Sequence, residues 1–220
     1  MRIQSGKTLA VSLLITLVPN ISAQAEMVTV GFVNRADVDP KALKHGLEFS
    51  AMILRSTGVD LSTVDCSLGA SRATPPCSGF TGPNQISIRF IRRPQKGADE
   101  IGCRKLGFAV ALDTTPGYGI VYLFGDVIAV VAKDRRVPQQ DVLGVAITHE
   151  IGHLLIAPGH SEMGIMRSRL EESEWRKAAQ GLLGFTPRQA EIIREGVASR
   201  GSSAPRSARR TDKMPETLVQ

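Results

Sequence analysis

An α+β fold is what this chain predicts, on three features of its pattern. Short runs rich in Val, Ile and Phe recur between Gly- and Pro-rich turns, two helix starts pair a capping residue with a proline, and a long apolar stretch after Pro138 reads as a buried helix. In order, residues 28–33 have the β-branched character of a buried strand, and Asp39-Pro40 supplies an N-cap and first-turn proline for a helix through about Ser56. Leu43, Leu47, Ala51 and Leu54 make its inward stripe. A second strand spans 59–64, and a Gly, Ser and Pro-rich loop covers 67–83. Residues 85–91 alternate Ile86, Ile88 and Phe90 with polar partners, marking a half-buried strand. Strands at 105–112 and 119–124 flank the turn Thr114-Thr115-Pro116-Gly117. Residues 126–133 suit either a strand or a short buried helix.

The long helix from Pro138 carries Val142, Leu143, Val145, Ala146, Ile147 and Ile151 around so much of its circumference that it must be largely buried, and Gly144 and Gly152 let a neighbour approach closely. Two helices follow, at 170–183 and from Thr186-Pro187 through about Val197.

The chemistry concentrates on the buried helix. His149 and His153 are four residues apart and so share a helix face, as two imidazoles gripping one ion must. Glu150 lies beside them, able to reach a metal-activated water without being a ligand, which is the logic of HExxH. A catalytic zinc takes three protein ligands and one open position. His160 is the candidate third ligand: the chain has four histidines, three of them within twelve residues, and His45 reads as a surface residue. Acidification towards pH 5 is expected to strip the metal, because only neutral imidazole binds it.

From His149 through Met166 the sequence resembles the metzincin zinc proteases, in particular the matrixin-like form, in which His160-Ser161 is followed by a short loop and a methionine turn. The likeness covers about eighteen residues. It implies a zincin-like fold, with a twisted mixed sheet and the buried motif helix above and a small C-terminal helical subdomain below. It also implies His149, His153 and His160 as Zn2+ ligands, Glu150 as general base, and Met166 as the hydrophobic floor, with Met163 a weaker competitor. An edge strand, either 106–112 or 119–124, would bind a peptide or protein substrate in extended form. The spacing departs from that family's HExxHxxGxxH: six residues separate His153 from His160 instead of five, and Ile156 stands at the glycine position. Ala157-Pro158-Gly159 can rebuild the turn, since proline ends a helix and glycine takes positive φ cheaply.

Alternatives stand beside this reading. In gluzincin-type sites a later glutamate completes the metal set, and Glu171, Glu172 and Glu174 lie at a workable distance, although Ser168 and Glu171 have capping-box spacing and Glu172 and Glu174 suit a solvated first turn. A secreted zinc domain without catalysis, acting as a binding module, would be indifferent to Glu150.

Residues 1–25 have the form of a secretory signal peptide: Arg2 and Lys7, an apolar core at 9–18, and Ala23-Gln24-Ala25 as cleavage site. That predicts a secreted or periplasmic product beginning at Glu26, one metalloprotease domain over 26–198 and a disordered basic tail over 199–220. No later segment is long and apolar enough for stable membrane insertion. The formal charge of +6 resides mainly in the signal and the tail, which argues against nucleic acid as a partner. A smaller basic cluster, Arg89, Arg92, Arg93 and Lys96, lies at a strand end. Cys66 and Cys77 can close a short loop through Pro75-Pro76, stabilising the fold by roughly 3 kcal/mol; pairings with Cys103 remain open, and one thiol is left over. Nothing in the pattern reports an oligomeric state.

Overall fold

The structure, a computed structural model, describes residues 26–67, 77–78, 83–94, 105–111, 119–156 and 159–202. The expected signal segment 1–25, the 114–117 turn, Lys96, Cys103, Ala157, Pro158 and the tail beyond Ser202 lie outside the described residues.

Five strands form one mixed sheet: β1 (Glu26–Asn34), β2 (Val59–Asp65), β3 (Gln85–Ile91), β4 (Gly107–Ala111) and β5 (Gly119–Phe124), in the order β2-β1-β3-β5-β4. The first four in that order run parallel, and β4 alone is antiparallel, with Phe108 opposite Tyr122 and Ala111 opposite Gly119. Of the two segments expected to supply the edge, β4 is terminal and β5 is internal. Val28, Val30, Ile86, Ile88, Val121 and Leu123 point to one face and are wholly buried there.

That face is covered by helices. Helix α1 (Pro40–Arg55) begins as its sequence predicts, with the Asp39 carboxylate accepting from the Ala42 N–H at 2.8 Å and Pro40 in the first turn. Its buried side includes Leu43, Leu47 and Leu54 of the expected stripe, whereas Ala51 is half-buried and Ser50 is wholly buried instead. Ser50 sits against α3 (Gln139–Leu155), where its hydroxyl accepts from Thr148 at 3.0 Å. Glycines let α1 and α3 approach. A Cβ on Gly46 would stand 2.8 Å from Leu143 Cβ, and one on Gly144 would strike Phe49.

Residues 126–133 resolve as helix α2 (Gly125–Arg135), because Ile128, Val131 and Ala132 recur at helical spacing on the buried side while Ala129 and Val130 face solvent. Helix α4 (Glu172–Ala179) is shorter than the 170–183 expected. Its capping box is Glu171 with Glu174, not Ser168 with Glu171, and Gly181 at φ 68° turns the chain away just after its end. Helix α5 (Pro187–Ser202) has the cap and first-turn proline expected, with Thr186 and Gln189 bonded reciprocally. It runs past Val197, so the first residues assigned to the tail are helical. Among the described residues, no helix is long and apolar enough to cross a membrane. Cys66 and Cys77 are joined as a disulfide with Cα atoms 5.3 Å apart.

Exposed Gly→Ala changes in helices gain about 0.5–1 kcal/mol. Gly46→Ala should instead destabilise by about 1–3 kcal/mol, since Leu143 and the α3 backbone leave no room for a methyl group. Chemical unfolding of the two proteins checks the sign; a more stable variant would show that the helices separate freely.

Candidate metal centre

Helix α3 delivers His149 and His153 to the same side one turn apart, and the segment after it brings His160 back to meet them. The ring centroids stand 4.8 Å apart for His149 and His153, 5.3 Å for His149 and His160, and 4.9 Å for His153 and His160. One ring nitrogen from each of the three lies within 4.8 Å of the others, so the set could hold a metal ion. The Nε2 atoms of His149 and His153 are 3.1 Å apart. A tetrahedral ion bonded to nitrogen at about 2.0–2.1 Å keeps its ligands about 3.4 Å from each other, and this pair stands close to that spacing. An all-imidazole set suits zinc, copper, iron or nickel, and geometry alone does not select among them.

The longer turn therefore still returns His160 to the site. Ile156 caps α3, and Gly159 adopts φ 127°, a conformation that side-chain-bearing residues rarely take. His160 is exposed while His149 and His153 are half-buried, which leaves one side of the triad open to solvent.

The first two imidazoles are held ready. His149 Nδ1–H donates to the Ile165 carbonyl at 2.7 Å, which assigns the proton to Nδ1 and leaves Nε2 as the free lone pair. Burial keeps His149 below the ordinary imidazole range, against the Ile165 bond, which acts in the opposite direction. Burial, the other two imidazoles and Lys105 depress His153 to about 4. Protons therefore compete for His153 only in more acid solution than the pH 5 expected from ordinary histidine, and His149 shifts in the same direction.

Glu150 faces the interior and is 7% exposed. Burial raises its pKa to about 7, with Lys105 pulling the other way. A carboxyl poised near neutrality both accepts and returns a proton at low cost. Lys105 precedes β4, with its ammonium 5.6 Å from the Phe108 ring centre. Its electrostatic reach to Glu150 and His153 was not legible in the sequence, because the two segments are more than forty residues apart.

Met166 takes the buried place and Met163 does not: they are 2% and 68% exposed. A Cβ on Gly152 would collide with Met166 Sδ and come 3.0 Å from Phe185 Cε1. The close approach expected at Gly152 is thus made by this methionine, on the helix turn between the two histidines.

The three glutamates weighed as ligands are engaged elsewhere. Glu171 caps α4, and Glu172 lies exposed, 3.9 Å from Arg176. Glu174 is not a solvated first-turn acid; it is buried and accepts from Arg167 at 2.9 Å and from the Glu171 N–H at 3.0 Å. His45 is exposed and bonds Glu48 on its own helix. Of the basic cluster, Arg92 pairs with Asp37, Arg89 lies over Tyr122, and the Arg93 N–H bonds Asp126, all remote from the triad in sequence and partners.

The chain matches no protein-family profile and no curated protein sequence.

Burial opposes ionisation of Glu174, but the bonds from the Glu171 N–H, Arg167 and Ser173 outweigh it and hold the carboxyl below its ordinary value. A depressed acid stabilises the fold above its unfolded pKa of 4.5 and loses that contribution as pH falls through the folded value. Glu174→Gln should accordingly cost about 1–3 kcal/mol at pH 7 and progressively less below pH 4.5. Urea unfolding across pH measures the difference; a pH-independent gap would exclude the charged bond as its source.

Proposed function

We propose that this protein is an exported zinc-dependent endopeptidase of zincin-like fold, related to the metzincins. The observation that carries the proposal is the convergence of His149, His153 and His160, with Glu150 on the same helix, in a triad open on one side. Three imidazole ligands and a free position are the donor set of a catalytic zinc, whereas a structural zinc has a fourth protein ligand. The mixed sheet with a buried motif helix, the buried Met166 and the C-terminal helices α4 and α5 are compatible with that fold. Export agrees with the signal-like first 25 residues and with the Cys66–Cys77 disulfide, a bond of oxidising compartments.

Zinc, when bound, supplies Lewis-acid polarisation of a scissile carbonyl and acidifies water. The chain's own residues do the rest. Ile165 fixes the His149 tautomer and orientation so that Nε2 faces the ion. Glu150 accepts the proton of the attacking water and returns it to the departing amine nitrogen, so no covalent enzyme intermediate is required. β4, the antiparallel terminal strand beside α3, offers its outer backbone groups to an extended peptide.

Glu150→Ala is expected to lower cleavage of unfolded protein substrates by about 10²–10⁴-fold with zinc content unchanged, and His153→Ala to lose both. Undiminished proteolysis in Glu150→Ala would eliminate the mechanism; stoichiometric zinc without proteolysis in the parent protein would make it a zinc-binding module. A chelator should abolish activity, and added zinc should restore it.

A further inference from the structure

The turn before His160 is one residue longer than the metzincin-like pattern, yet the imidazole arrives at the triad. What sets its position lies on the other side of the residue. The Ser161 N–H donates to the Met166 carbonyl at 2.9 Å, and the Ser161 hydroxyl donates to the Met163 carbonyl at 2.6 Å. These two bonds close residues 161–166 into a small ring, within which Gly164 takes φ 73°. The ring is itself fixed to the helix and to the segment before α5. His149 donates to the Ile165 carbonyl, the Ile165 N–H donates to the Gly184 carbonyl at 2.9 Å, and Met166 fills the space above Gly152. His160 is thus attached by one peptide to a unit that already holds His149 from behind. On the upstream side, Gly159 is exposed and has nothing within 4 Å of where a Cβ would stand.

We infer that Ser161 is the positioning residue of the third ligand, so that the placement of His160 is fixed by the ring that follows it. The inference rests on the reading that the three histidines hold a metal. Loss of the hydroxyl leaves the N–H bond to Met166, so Ser161→Ala loosens His160 without removing it. Partners that orient a ligand are worth about 10–100-fold in metal affinity.

The test is equilibrium binding of Zn2+ by competition with a chromophoric chelator, together with the visible spectrum of the Co2+-loaded protein, which reports ligand geometry apart from activity. Ser161→Ala should bind roughly tenfold more weakly with an altered cobalt spectrum, and Ser161→Thr, which keeps the hydroxyl, should regain most of the affinity. One glycine inserted after Glu162, inside the ring, should lower affinity by about 100-fold. Equal affinity and spectra for the parent protein and Ser161→Ala would overturn the inference while leaving the metal site intact, as would undiminished affinity after the insertion following Glu162. A parent protein that takes up neither ion overturns the metal reading and the inference together.

Discussion

The site depends on a contradiction that α3 has to resolve. The helix is buried around most of its circumference, yet it presents two imidazoles on one narrow side, with the Glu150 carboxyl buried beside them in sequence. A helix so placed cannot rely on amphipathic sorting, so the necessary separation comes from its partners. The sheet and α1 take the sides that carry Leu143, Ile147 and Ile151, while the loop 159–166 meets the side that carries His149 and His153. The bond from His149 to the Ile165 carbonyl links these requirements: it satisfies a half-buried ring nitrogen and fastens the loop that brings the third histidine.

Small residues make that enclosure possible. Gly46 and Gly144 draw α1 and α3 together, the Ser50–Thr148 bond satisfies two hydroxyls in the dry contact between them, and Gly152 admits a sulfur atom where any larger residue would hold it off. Rigidity follows from such contacts. The close contacts at Gly46 and Gly144 oppose rotation of either helix against the other, and with it displacement of the face that carries His149 and His153. The depressed pKa of His153 has the same origin, since burial and the adjacent rings that hold it in place also disfavour its protonation.

Much of this was legible because the signals were local. The caps at Asp39 and Thr186, the alternation in β3, the spacing of His149 and His153 and the approach at Gly152 each follow from a few neighbouring residues. The stretch 126–133 was ambiguous because five apolar residues in succession serve either period, and tertiary burial of Ile128, Val131 and Ala132 decided it. The α4 cap was misplaced by three residues because two acids, Glu171 and Glu174, were free to play either part, and the choice fell to an arginine that reaches Glu174 from the preceding loop. The role of Ile165 had no side-chain signature to read, since a backbone carbonyl does the holding. Which strand ends the sheet was likewise a matter of long-range order, settled by the antiparallel pairing of β4 on β5.

The two margins of the sheet are built differently. β2 carries Asp60 and Asp65, charges that deter another chain from adding to it, whereas β4 reads Gly-Phe-Ala-Val-Ala and has no charge within its five residues. Among the described residues, the far side of β4 has no strand partner. A margin left unguarded is receptive to any extended segment, and that includes a second copy of the same strand. The openness of that margin therefore carries a colloidal penalty, and concentrated protein is where it will be felt.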